Sequence, residues 1–174
     1  MKDQEFKKLL RDSIRIIPGF PKPGIDFVDI TPVLASGSLF RATVTKMADI
    51  GLTFDYVVAP EARGFIFGSA IAFHTHTGLI IARKPNKLPL PTVEASYTLE
   101  YGHDTLHMHR CDIRPGSIVL LVDDILATGG TAAALETTLI RLGCKVAGLS
   151  VLGSIVGLNG KDMLKCPVYS LLDF

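Results

Sequence analysis

Apolar and polar positions along the chain fall into two alternating patterns, short wholly apolar runs and longer stretches of helical spacing. Phe6, Leu9, Leu10, Ile14 and Ile17 recur at helical intervals and predict an amphipathic helix over residues 2–17. PGFPKPG (18–24), with three prolines and two glycines, ends that helix in an extended, turning loop. Residues 38–51 suit a second helix, with Ser38 as N-cap and Gly51 as its stop. DYVVAP (55–60) is a short strand, followed by EARG and an apolar helix, FIFGSAIAFHTHT. GLIIAR (78–83) is a second strand, and the proline-rich basic stretch KPNKLPLPTVE (84–94) reads as a long mobile loop. EASYTLEYG and DTLHMHR alternate like hairpin arms that turn near Gly102 and His103. SIVLLV (117–122) is a third strand ending at Val122. A helix over 130–142 follows, with Leu135, Leu139 and Leu142 on one face and Gly143 as its stop. KVAGLSVLGSIV and PVYSLLDF close the sheet.

Apolar strands alternating with helices imply an α/β fold, a mainly parallel twisted sheet covered by helices on both faces. No internal repeat or linker divides the 174 residues, so a single domain, 1–174, is expected. Hydrophobic content of 48% and charged content of 20% fit an ordinary globular protein. The net charge of +1 gives no support to nucleic-acid binding. Three scattered cysteines, Cys111, Cys144 and Cys166, are odd in number and read as reduced thiols. The N-terminal stretch lacks a signal-peptide core and no apolar span reaches membrane length, so a cytoplasmic protein without membrane attachment is expected.

The run IVLLVDDILATGGTAAALE (118–136) carries the chemistry. Parallel sheets bind ligands beyond the carboxyl ends of their strands, which is where Asp123 and Asp124 are expected. Adjacent carboxylates repel, and each glycine of the pair costs about 1 kcal/mol relative to alanine where a helix could form. Both expenses make sense at an anion site built on a helix N-terminus. Glycines let the backbone approach a phosphate, threonine hydroxyls donate to it, and the carboxylates accept from neutral hydroxyls of the same ligand. A sugar phosphate is the natural occupant. Walker and dinucleotide-binding loops are excluded, because neither Gly-Lys-Ser/Thr nor G-x-G-x-x-G occurs. His107 and His109 share a strand face, but without a cysteine or carboxylate pattern they make a poor metal site.

VDDILATGGT closely resembles the signature of the type I phosphoribosyltransferases, which bind 5-phosphoribosyl 1-diphosphate. FPKPGIDFVDITPVL (20–34), EARGFIFG (61–68), RKPNKLP with ASYTLEYG (83–102) and YSLL (169–172) narrow the resemblance to the adenine phosphoribosyltransferases, over nearly the whole chain. The 6-oxopurine branch usually carries an aspartate where this chain has Ala127. Val28 stands where the family often has arginine.

The resemblance implies a small N-terminal hood (about 18–34), a hairpin lid (about 84–102) and a homodimer. It also implies purine salvage by conversion of adenine and phosphoribosyl diphosphate to AMP and diphosphate. Asp123 and Asp124 would hold the ribose hydroxyls, while Ala127, Thr128, Gly129, Gly130 and Thr131 cradle the 5-phosphate. Arg63, following a cis Glu61–Ala62 peptide, would bind the diphosphate with Arg83, Lys84 and Lys87. Phe27 and Ile125 would sandwich the purine, with Val28 contributing backbone. Glu100, beside Tyr101 in the lid, would hydrogen-bond the purine near N7 as a general acid. Mg²⁺ would be held mainly by the diphosphate, with no direct protein ligand. The alternatives are transfer to another purine such as xanthine, and a non-catalytic sensor of phosphoribosyl diphosphate.

Overall fold

The computed structural model describes residues 3–99 and 102–174, the side chains of 97–104 excepted. Two compact units account for the chain, Met1–Lys46 and Met47–Phe174.

In the first unit, α1 (Asp3–Ser13) buries Phe6 and Leu10 and carries Asp3 and Glu5 in its first turn, where the helix dipole favours them. The helix is shorter than its apolar spacing suggests. Ile14, Ile16 and Ile17 are β-branched and favour extended backbone, and Arg15–Pro18 forms strand β1 instead. It pairs antiparallel with β2 (Asp26–Asp29), Arg15 opposite Asp29 and Ile17 opposite Phe27. Arg15 fixes this register by donating through Nε to Asp29 at 2.8 Å and through Nη2 to the Thr31 hydroxyl at 3.0 Å. Leu9, Ile16 and Ile17 are accordingly exposed rather than part of a core stripe. The second Asp29 oxygen accepts the Thr31 N–H at 2.9 Å and so starts α2 (Thr31–Ala35). Helix α3 (Gly37–Ala48) begins one residue before the expected cap, and Ser36, not Ser38, accepts the Leu39 N–H.

The second unit is built on β3 (Tyr56–Pro60), β4 (Gly78–Ala82), β7 (Ile118–Leu126), β8 (Lys145–Ser154) and β9 (Val168–Asp173). These form one five-stranded parallel sheet in the order β4-β3-β7-β8-β9. Helix α4 (Gly64–Thr75) crosses from β3 to β4 and buries Phe67 and Ile71, and α5 (Gly130–Arg141) crosses from β7 to β8. Leu135 and Leu139 of α5 pack in a core with Val119, Leu121, Leu149 and Val151, while Leu142 is only partly buried.

β5 (Thr92–Leu99) and β6 (Gly102–His109) form a separate antiparallel hairpin. Gly102 and His103 are paired strand residues, opposite Leu99 and Thr98, rather than the turn expected from sequence. Ala95, Leu106 and Met108 anchor the hairpin's base in the core. The segment without regular structure therefore ends at Pro91 rather than Glu94. The hairpin joins the main sheet through Arg83, which exchanges backbone hydrogen bonds with His107 at 2.9 and 2.7 Å.

Candidate active site

β7 does not stop at Val122. It runs on through Asp123, Asp124 and Ile125 to Leu126, paired with β8 up to Leu126–Ser154. Successive residues of a strand face opposite sides of the sheet, so extension of β7 gives the two aspartates different surroundings. Asp124 is buried and forms an ion pair with Arg63, whose own side chain is half exposed. One Asp123 oxygen accepts the Asp124 N–H at 2.8 Å. Burial, and then the neighbouring Asp124 charge, push the Asp123 carboxyl well above the usual carboxylate range, partly opposed by the Arg63 guanidinium.

Arg63 owes its position to the β3–α4 connection. The Glu61–Ala62 peptide is cis, and Arg63 immediately precedes the first residue of α4. Gly64 is required there, because a Cβ would come within 2.9 Å of the Pro60 ring and 3.0 Å of an Asp123 oxygen. Glu61 accepts from Nε of Arg83 at 2.9 Å, and Nη1 of Arg83 reaches the Lys87 carbonyl at 3.4 Å. Arg83 is thereby tied to the Arg63 segment and to the basic loop. Lys84 is partly buried and Lys87 exposed on that loop. Glu61 had no role among the residues expected from sequence. Its signal was a carboxylate beside a cluster of cations.

Beyond Leu126 the chain turns through Ala127 and Thr128 to Gly129, whose φ of +81° is a left-handed conformation suited to glycine. α5 starts at Gly130, its first turn closed by the Ala133 N–H on the Gly129 carbonyl at 2.9 Å. No side chain caps this helix, so the first-turn N–H groups and the positive end of the dipole are left for an anion. Thr128 is exposed and Thr131 partly so. A cavity of about 100 Å³ is lined by Asp123, Ile125 and residues 126–132, together with Leu149 and Val151. The structure thus places the acidic pair at the loop's root, Asp124 against Arg63 and Asp123 in the cavity of the loop, and continues directly from them into residues 127–131.

In the first unit, Phe27 packs edge-on against Phe20, with ring centroids 5.3 Å apart, and Val28 is buried on β2. Glu100 and Tyr101 lie outside the described residues. His107 is engaged through Nδ1 with the Thr92 hydroxyl at 2.9 Å, and His109 lies 3.4 Å from Asp112. Among the described residues no group of three His, Cys, Asp or Glu side chains is placed to hold a metal, and no helix is long and apolar enough to cross a membrane.

A parallel sheet with an acidic pair at the end of a central strand, followed by a glycine turn and an uncapped helix, defines an α/β fold with an anion site at the strand's carboxyl end. The phosphoribosyl transferase domain family matches residues 39–156. More narrowly, the chain belongs to the adenine phosphoribosyltransferase family. It is 48% identical over 168 residues to the adenine phosphoribosyltransferase of Clostridium perfringens, covering 95% of this chain and 98% of the relative. With that of Synechococcus sp. it shares 47% over 158 residues, 89% and 90% of the two chains. The crystal structure of the Rhodothermus marinus adenine phosphoribosyltransferase superposes with a TM-score of 0.93 at 40% identity, covering 98% and 99% of the chains. That of Saccharomyces cerevisiae, complexed with an imino-altritol bisphosphate and adenine, gives 0.92 at 32% identity, covering 97% and 99%.

Proposed function

We propose that the chain transfers a phosphoribosyl group from 5-phosphoribosyl 1-diphosphate to adenine, giving AMP and diphosphate in purine salvage. The observation that carries this reading is the unbroken passage from the Asp123–Asp124 pair, through the Gly129 turn, to the uncapped start of α5. In this assignment Asp123 and Asp124 accept from the ribose hydroxyls. The backbone of Ala127 to Thr131, with the Thr128 and Thr131 hydroxyls, surrounds the 5-phosphate. Arg63 and Arg83, with Lys84 and Lys87, neutralise the diphosphate. Ile125 stacks on the base.

N9 of adenine attacks C1 of the ribose as the bond from C1 to the diphosphate oxygen breaks, and the electron pair leaves with the diphosphate. Charge neutralisation by fixed cations, positioning and exclusion of water are then the protein's contributions. The proton count reverses the role expected of Glu100 in the synthetic direction. Bond formation at N9 makes the purine cationic, so the base loses a proton in the synthetic direction. Glu100 near N7 would receive that proton and return it in the reverse reaction, in which it is the general acid. Two adjacent carboxylates, one engaged by Arg63, do not make a cage for Mg²⁺, which supports an ion held mainly by the diphosphate with no direct protein ligand. When bound there, Mg²⁺ supplies further neutralisation of the leaving group.

A homodimer is supported by α4, which leaves Ile66 and Phe73 exposed, the latter by 86%. Three free cysteines support a cytoplasmic setting. The test is an assay of labelled adenine, guanine, hypoxanthine and xanthine with phosphoribosyl diphosphate and Mg²⁺, alongside sedimentation of the purified chain. AMP formation at least about a hundredfold faster than the other nucleotides is expected, since a site built to pair polar groups rejects mismatched ones at about this level or above. Equal use of xanthine would overturn the assignment of the base.

A further inference from the structure

The turn at Gly129 rests directly on a distant piece of backbone. A Cβ placed on Gly129 would overlap the Gly160 carbonyl oxygen and come within 3.1 Å of its Cα. Reciprocally, a Cβ on Gly160 would overlap the Ala127 carbonyl oxygen and come within 3.0 Å of the Gly129 nitrogen. The obstructing atoms in both directions are backbone, which cannot rotate away as a side chain can. Gly160 is buried and opens a 3₁₀ turn, Gly160–Met163, after Asn159 in left-handed conformation at φ +52°.

The segment carrying Gly160 is held at both ends and in its middle. At its start, the Ile155 N–H donates to the Leu126 carbonyl at 2.9 Å, fastening it to the last residue of β7. In its middle, Lys161 meets Asp173 at 2.9 Å, and the same Asp173 oxygen accepts from the Ser154 hydroxyl at 2.6 Å. At its end, Glu136, buried on α5, accepts the Lys165 N–H at 3.0 Å and the Cys166 N–H at 2.7 Å. Glu136 belongs to the helix whose first turn continues the 127–131 loop, so loop and segment are joined on both sides of their contact. A buried carboxylate satisfied by two backbone donors is costly to disturb.

We infer that Gly160 is a positioning residue for the 127–131 loop, its bare Cα being the surface against which the loop's N–H groups are held in phosphate-binding geometry. Glu136 keeps that surface in register. The inference rests on the reading of residues 127–131 as the 5-phosphate cradle. Any side chain at 160 displaces the Ala127–Gly129 backbone and disorganises donors to the phosphate, leaving the ribose and base positions unaltered.

The experiment compares AMP, which carries the 5-phosphate, with adenosine, which does not. Affinities are measured by titration calorimetry, with competition against AMP for the weaker ligand. Gly160→Ala is expected to lower AMP affinity by about tenfold or more, the loss of at least one charge-assisted hydrogen bond, with adenosine affinity within about twofold of wild type. Glu136→Gln, which keeps the shape but loses one acceptor, is expected to move AMP affinity the same way by less, and it decides the matter if Gly160→Ala does not fold. A ratio of AMP to adenosine affinity unchanged in the folded variants overturns the inference. Thr128→Ala with Thr131→Ala separates the two readings. If that pair lowers AMP affinity and the Gly160 and Glu136 variants do not, only the positioning role fails. If that pair leaves AMP affinity unchanged as well, the cradle assignment itself falls.

Discussion

Arg63 and Asp124 are closed on each other, a half-exposed guanidinium capping a carboxylate that is almost wholly buried. Diphosphate cannot take Arg63 without leaving that carboxylate uncompensated, and a stranded buried charge is strongly unfavourable. On the proposed assignment, phosphoribosyl diphosphate would resolve the conflict by bringing ribose hydroxyls to Asp124 as its diphosphate draws Arg63 away. Free diphosphate brings no such replacement. Asp124→Asn is therefore expected to bind diphosphate more tightly than wild type and phosphoribosyl diphosphate more weakly. Parallel titrations with the two ligands check this, and affinities that shift in the same direction would refute the exchange.

The same pair makes lysine a poor substitute at position 63. Arg63→Lys keeps the charge but loses the planar fork that grips two oxygens at once. kcat/KM for phosphoribosyl diphosphate should fall by about tenfold or more, as expected for loss of a bidentate charge-assisted contact, with AMP affinity largely retained. Equal losses for both ligands would make Arg63 a structural support of its loop.

Asp123 gives a pH dependence of definite sign. Its folded-state pKa is raised above the unfolded value of 3.8 by burial and by Asp124. The contribution to stability is therefore fully present below that value and is lost as pH rises through the folded pKa. Asp123→Asn keeps an oxygen for the Asp124 N–H and removes the titration. The variant should be more heat-stable than wild type at neutral pH, and the gap should close as pH falls towards 4. Its affinity for phosphoribosyl diphosphate should drop by about 1.5 to 3 kcal/mol, the worth of a hydrogen bond to a charged group. Melting curves across pH test the first statement, and a gap that widens towards acid would contradict the sign.

For Glu100 the decisive quantity is the chemical step. Positioned acid–base groups contribute about 10²- to 10⁴-fold in rate. Glu100→Gln should slow single-turnover formation of AMP by at least about tenfold, Glu100→Leu further, with phosphoribosyl diphosphate affinity little changed. Wild-type single-turnover rates in Glu100→Leu would reduce the residue to a surface charge.

The thiols separate by environment. Burial, followed by the Glu136 charge, pushes the Cys166 thiol up to about 12, while Cys111 is exposed. At pH 8 the thiolate fraction of Cys166 is about a thousandfold below that of an ordinary cysteine. Mass-spectrometric labelling of the folded protein should find Cys111 modified first and Cys166 protected until unfolding. Equal labelling rates would mean that the Glu136 environment is open.

The β7–loop–α5 passage was legible because three signals coincide there: a wholly apolar run, a glycine pair, and helical spacing of Leu135 and Leu139. Ile14 and Ile17 misled because helical spacing cannot distinguish a helix's last turn from a β-branched strand, and the Arg15–Asp29 pairing that decides the matter is non-local. Extension of β7 past Val122 was hidden for a similar reason. Aspartates are unusual in strands, and only backbone pairing with β8 keeps them there. Gly160 gave no signal, because its neighbours LNGKDML have no periodicity and its partner Gly129 is remote in sequence.

The sheet order has a consequence for how the chain is made. β3 lies between β4 and β7, and Val57 is paired with Leu79, which follows soon after, and with Leu120, which comes much later. A nascent chain leaving the ribosome can close β3 onto β4 early, since the intervening α4 completes that unit. The other edge of β3 then stays bare, with unpaired N–H and C=O groups, while the hairpin of β5 and β6 is being synthesised. Late closures of this kind slow folding and prolong exposure of an apolar edge. The strand that seals the edge is also the one that carries Asp123 and Asp124. The carboxylates proposed for the ribose and the cover for this edge of β3 therefore arrive with the same strand.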